Sequence, residues 1–268
     1  MICDKLRSVR VLILILIGVV LPIFGCGAKE PLVEQVMDET YKVDPDSTLS
    51  VRNADGAIHI FGGSTNELKV HAVKKAYSAN RLEKISINIS IGTKSVSIDT
   101  HYPPRPKWRM FDRSGTVDYS LVVPQSCKIE SVELANGEVS IEGMRGPSLN
   151  ANLVNGRMVG RNCFGNVRLS VVNGGIDLGF DWWEKRASSI AARVVNGNTR
   201  AFIPASASLH LLATSANGKI DNEFSAQQDR NGTRMHKVDM TIGNDNDAGT
   251  DLQIHTTNGD VKIAQMNP

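Results

Sequence analysis

The sequence predicts an all-β protein, and three observations carry that prediction. From Leu49 onward almost every segment alternates apolar and polar residues and is rich in Val, Ile and Thr, as in "LSVRNADGAIHIF", "LKVHAV", "ISINISI", "KSVSIDTHY" and "TVDYSLVVP". Asn-Gly pairs recur at Asn136-Gly137, Asn155-Gly156, Asn173-Gly174, Asn196-Gly197, Asn217-Gly218 and Asn258-Gly259. Their spacings are 19, 18, 23 and 21 residues and then 41, close to two periods with one degenerate turn between. No stretch of comparable length keeps a helical period.

The first element in chain order is an export signal over residues 1–25. Lys5, Arg7 and Arg10 against Asp4 precede the apolar run Val11 to Leu21, which is too short to span a bilayer and has the charge order of a secretory signal. It ends in Ile23-Phe24-Gly25-Cys26, which resembles a bacterial lipobox, with Phe24 bulkier than is usual at its position. That resemblance implies that Cys26 is lipidated, becomes the new N-terminus and attaches the protein to a membrane through acyl chains. Gly27 in place of Asp points, by resemblance to the sorting rule of Gram-negative lipoproteins, to the outer membrane.

Residues 26–47 read as a polar tether with a weak helical rhythm. Residues 48–130 read as an N-terminal antiparallel β region, interrupted by "PPRPKWRMFDRSG", whose prolines cannot feed a sheet ladder. Residues 131–268 hold the Asn-Gly repeat. A repeat of about 20 residues has the length of a solenoid coil or of a repeated hairpin.

Counting each Asn as zero, positions −6, −4, −2, +3 and +5 keep one register. They are Val167, Leu169, Val171, Ile176 and Leu178 in one copy, and Leu252, Ile254, Thr256, Val261 and Ile263 in another. Ile190, Ala192, Val194, Thr199 and Ala201 form a third, and Leu49, Val51, Asn53, Ile58 and Ile60 around Asp55-Gly56 an early fourth. These positions form one inward face. A hairpin turn and a coil corner with Gly at positive φ would both produce that register. Uniformity favours the coil, because stacked rungs need the same corner at the same place. A column of Asn side chains can also hydrogen-bond along such a stack. The expected architecture is therefore a β-solenoid, a single-stranded β-helix-like stack, preceded by antiparallel strands.

The succession "VDYSLVVPQSCKIESVELANGEVSIEGMRG", "LNANLVNGRMVGRNCFGNVRLSVVNGGIDL", "SSIAARVVNGNTRAFIPASASLHLLATSANGKI" and "LQIHTTNGDVKI" resembles the putative-adhesin domain family of bacterial envelope proteins across nearly all of residues 48–264. The resemblance implies a β-solenoid and transfers no catalytic motif. "FDWWEKRASS" and the stretch Ser225 to Gly249 depart from the family pattern.

The chain's formal charge is +2, and the signal contributes three cations against one anion, also +2, so the mature part is near neutral and offers no nucleic-acid surface. Of four cysteines, Cys3 leaves with the signal and Cys26 takes lipid; an oxidising compartment permits a disulfide between Cys127 and Cys163, but two lone thiols fix nothing. No hydrolase, zincin, P-loop or dinucleotide motif is present, and His59, His71, His101, His210, His236 and His255 are scattered singly. "GNDNDAG" lacks the ligand spacing of a calcium loop, so neither metal nor cofactor is expected.

Two features could bind a partner. Trp182 and Trp183 are adjacent in "FDWWEKRA", and in a strand their rings would point to opposite faces, one capping the core and one free to stack on sugar. In "RPKWRMFDR", Arg105, Lys107, Arg109 and Arg113 interleave with Trp108 and Phe111, which suits anionic headgroups or acidic glycan. The reading this supports is a non-enzymatic envelope lipoprotein, adhesin-like or scaffolding, that binds a surface polymer or another envelope protein. An envelope-stress accessory or sensor protein is the alternative. A polysaccharide-active β-helix enzyme ranks last, because Glu138, Asp177 and Asp260 sit at unequal offsets from their corners and form no convincing pair.

Overall fold

The computed structural model describes residues 32–104, 115–224, 236–243 and 249–266. In chain order the elements begin with β1 (Val33–Lys42), β2 (Thr48–Gly63), β3 (Glu67–Ala76), a short helix α1 (Ala79–Glu83), β4 (Ser86–Ile91), β5 (Ser95–His101) and β6 (Thr116–Pro124). The repeat region supplies β7 (Lys128–Glu142), β8 (Ser148–Arg161), β9 (Asn166–Gly179), β10 (Ser188–Asn196), β11 (Thr199–Pro204), β12 (Leu209–Asn217) and β13 (Ile220–Asn222). Then come β14 (Lys237–Ile242), β15 (Thr250–Asn258) and β16 (Val261–Met266). The described residues thus form an all-β protein in one large sheet of sixteen strands.

The Asn-Gly pairs bend strands without reversing them. β7, β8 and β9 each run through their own Asn-Gly, and they pair in parallel with Asn136 beside Asn155 and Asn155 beside Asn173. Gly137, Gly156, Gly174, Gly197 and Gly259 have φ between 134° and 145°. A side chain is excluded there on a second ground. A Cβ on Gly174 would lie 1.7 Å from the carbonyl oxygen of Gly156, and one on Gly197 would lie 1.6 Å from that of Gly174. Gly218 lies outside this left-handed range, yet its Cβ would still come within 2.0 Å of the Gly259 oxygen.

The corner amides form a polarised ladder. Asn136 Nδ2 donates to Asp55 Oδ1 at 2.7 Å, Asn155 to Asn136 at 2.8 Å, Asn173 to Asn155 at 2.9 Å and Asn196 to Asn173 at 2.9 Å. Asn258 then donates to Asn196, and Asn217 to Asn258, each at 2.8 Å. An interior member must accept on one side and donate on the other, which an amide does and a carboxylate does not. Asp55 stands at the accepting end, where the ladder asks no donor of it.

Each rung has two arms that meet at a corner, and both arms turn the repeat's apolar column into one shared core. Val132, Val139, Ile141, Met158, Val171, Ile176 and Val194 are fully or almost fully buried. Gly160 occupies the position that Ile141 and Leu178 hold in neighbouring rungs. Leu169 and Leu178, from opposite arms of β9, fill the space, since a Cβ on Gly160 would meet their methyls at 3.0 and 3.2 Å. The polar members of the column are satisfied internally: Thr199 and Thr256 share a hydrogen bond at 3.1 Å, and Ser215 Oγ donates to the Gly259 carbonyl at 2.8 Å.

Three expectations need correction. Residues 26–47, read as a tether, contain β1, which pairs antiparallel with β3 over its whole length. Its signal is weak because it is an edge strand whose inward side chains are only half-buried, and Glu34 and Asp38 face water, as is common on protected edges. Residues 48–130 hold both kinds of pairing. β3 is antiparallel to β1 and β6, and β4 to β5, but β2 runs parallel to β5, β6 and β7 and is itself a rung. Finally, the stack does not follow chain order. β15 and β16 insert between the β10/β11 rung and the β12/β13 rung, and β14 caps β12 antiparallel where a degenerate turn was expected.

Candidate functional site

The corner side of the stack offers chains of amides already occupied by one another. The loops that join successive rungs lie at the other end of the arms, and there the side chains differ. The β6–β7, β7–β8 and β8–β9 loops are laced together by the backbone: Arg145 N–H donates to Gln125 O at 2.8 Å, and Phe164 N–H to Met144 O at 3.0 Å.

Beneath these loops an aromatic trio closes the core. Phe164, Phe180 and Trp183 have ring centroids 5.3 to 5.9 Å apart, with Trp183 edge-on to both phenyl rings. Trp183 Nε1 donates to Ser208 O at 3.1 Å, so its one polar atom is satisfied. Trp182 turns outward and is 46% exposed. The Arg145 guanidinium lies 5.9 Å from its ring centroid, within cation–π range. Arg145 is itself fixed, donating through Nε to Glu184 at 3.1 Å and through Nη1 to Gln125 Oε1 at 2.9 Å. Asp181, just before Trp182, exchanges two hydrogen bonds with Asn162 at 2.8 Å, and Arg161 stands 3.9 Å from its carboxylate.

The two tryptophans diverge in a loop and not in a strand. Trp182 is therefore set by what pins its neighbours, and alternation along a strand plays no part. Trp108, Arg105 and Arg109, with Lys107, Phe111 and Arg113, lie outside the described residues. Gln125, Arg145, Arg161 and Glu184 escaped sequence reasoning because they come from three loops and the end of β8 and share no local motif.

The repeat carboxylates are tied into the surface. Asp177 pairs with Arg157 at 2.7 Å and with Arg200 at 3.8 Å, and this contact raises the Arg157 pKa. Asp260 Oδ1 accepts from Lys219 N–H at 2.9 Å, and Glu138 stands beside Arg157 in the β7–β8 register. Among the described residues no three His, Cys, Asp or Glu side chains are grouped to hold a metal ion.

Cys127 and Cys163 are not bridged. They sit in separate loops with the β7–β8 loop between them, both are buried, and each thiol donates to backbone carbonyls, Cys127 to Ser47 at 2.9 Å and Cys163 to Arg161 at 3.3 Å. Burial pushes both thiol pKa values up to about 11.

A stack of parallel bent rungs with an Asn-Gly corner and an aromatic-capped loop end can be compared with known families. A family model described as Toastrack DUF4097 matches residues 39–264. The chain belongs to that family. No curated protein matches this Toastrack chain. Among solved structures it is similar to a "putative cell adhesion protein" from Clostridium sporogenes, with 15% identity and a TM-score of 0.52 over 87% of this chain and 100% of that one. That is a likeness of fold. "Putative adhesin" structures from Bacteroides fragilis (12% identity, TM-score 0.27, 88% and 98% covered) and Parabacteroides distasonis (9%, 0.28, 85% and 97%) also match, at scores that carry no structural argument.

Proposed function

We propose that this Toastrack protein is a non-enzymatic, lipid-anchored envelope protein that displays a rigid β-solenoid, adhesin-like, to a surface polymer or an envelope protein. The observation that carries this reading is Trp182, held outward at the loop end beside Arg145 while the neighbouring Trp183 is committed to the core. A fixed, solvent-facing aromatic paired with a cation is the composition that binding surfaces favour. The ionic ties of Asp177 and the backbone contact of Asp260 agree with a structural role for those carboxylates. Anchoring rests on the lipobox-like Ile23 to Cys26 and outer-membrane sorting on Gly27.

Two measurements test the reading. Cys26→Ser should abolish acyl labelling and move the protein out of the detergent phase, and unchanged partition would remove the anchor. The mature chain should be retained on isolated envelope polysaccharide or peptidoglycan without generating new reducing or unsaturated ends. Polymer cleavage abolished by a single change at Glu138, Asp177 or Asp260 would replace display with catalysis.

A further inference from the structure

The geometry points to the loop end around Trp182 as a subsite for an acidic sugar, a pyranose ring that carries a carboxylate. This deepens the display reading and rests on it.

The ring is held ready before any ligand arrives. On one side Asp181 is locked by its paired hydrogen bonds to Asn162. On the other, Trp183 is wedged against Phe164 and Phe180 and tied to Ser208. With both neighbours pinned, Trp182 has little conformational freedom left to lose, and preorganisation of this kind is what raises affinity. An aromatic face is negative and an edge positive, so the weakly positive C–H face of a pyranose complements it.

The surrounding charge selects the class of sugar. Arg145, Arg161, Lys185 and Arg186 are set against Glu142, Asp181 and Glu184, four cations against three anions, so the rim carries +1 although the mature chain is near neutral. Arg145 is engaged with Glu184 and Gln125, which orients its guanidinium over the ring. Arg161 is differently placed. It stands beside Glu142 in the β7–β8 register, yet its side chain is 51% exposed and its contact with Asp181 is long, 3.9 Å, so its fork can take a carboxylate in the bidentate geometry that suits arginine. One such subsite binds weakly, and a polymer that presents the same sugar repeatedly gains through multivalency.

The test is calorimetric titration of the mature full-length chain, in detergent micelles, with tetragalacturonic acid and with the neutral tetrasaccharide maltotetraose at matched ionic strength. The acidic probe should bind roughly 10-fold more tightly or better. Trp182→Ala should lose about 10-fold or more of that affinity without a shift in melting temperature, Trp182→Phe should keep most of it, and Arg161→Gln should erase the preference for the acidic probe. Equal binding of the two tetrasaccharides, or unchanged binding by Trp182→Ala, overturns the subsite. Retention on isolated envelope is measured in parallel. Retention without tetrasaccharide binding overturns the subsite alone, whereas loss of both overturns the display reading as well.

Discussion

Asn258 donates its side-chain amide to Asn196 at 2.8 Å across 62 residues of sequence, and Asn217, which lies between them in the chain, stands on the far side of Asn258. The last Asn-Gly corner is therefore an interior rung. Its arms β15 and β16 pair on both edges, with β10 and β12 and with β11 and β13.

Deletion of residues 250–268 should consequently unfold far more than one repeat. It removes Leu252, Ile254, Val261 and Ile263 from the core, each worth about 1.5–3 kcal/mol when buried, uncovers the side chains they packed against, and detaches β12 and β14 from the stack. The truncated chain should lose cooperative urea unfolding and become sensitive to limited proteolysis from Ser188 onward. A cooperative transition with a midpoint close to that of the full chain would contradict the insertion.

At the corners, Gly174→Val and Gly197→Val should each cost at least about 1–3 kcal/mol from backbone conformation alone, with overlap against the Gly156 and Gly174 carbonyls adding to it. The solvent-facing Arg168→Ala on β9 serves as control and should shift stability by less than about 0.5 kcal/mol. Thermal melting of the three variants decides, and equal midpoints would refute the corner geometry.

Inside the ladder, Asn173→Asp should destabilise by about 1 kcal/mol at neutral pH. An ionised carboxylate still accepts from Asn196 but has no proton to donate to Asn155. Facing an acceptor raises the folded-state pKa above the unfolded value of about 3.9. The variant should therefore approach wild-type stability below about pH 4 and lose ground as pH rises through its folded pKa. A deficit independent of pH would count against the ladder.

The buried thiols predict an alkaline limit. Their folded pKa values of about 11 exceed the ordinary 9.0 because burial disfavours the thiolate, so the stability they contribute is complete below pH 9 and is lost as pH rises towards 11. Between pH 9 and 11, wild type should lose stability faster than Cys163→Ala. Below pH 9, iodoacetamide should label Cys127 and Cys163 only after denaturation, and a reducing agent should leave the melting temperature unchanged. Rapid labelling of the native protein would show that neither the burial nor the hydrogen bonds to Ser47 and Arg161 hold.

The sequence by itself determined the face each residue presents. Val171 and Ile176 point inward because alternation has period two on both sides of Asn173-Gly174, and Gly174 is needed because φ there is 144°. Both are local facts, written within a few residues. Only the tertiary structure decided which rung lies on which. Each rung offers similar edges and a similar apolar column, so local pattern does not distinguish β12 from β15 as the neighbour of β10, and the choice is made by the antiparallel return through β14. The edge strand β1 was hidden for a related reason, since a strand that half-buries one face and wets the other carries a weak alternation. The Trp182 surroundings were illegible because Gln125, Arg145, Arg161 and Glu184 become neighbours only when the rungs stack, an adjacency set by rung spacing and not by sequence separation.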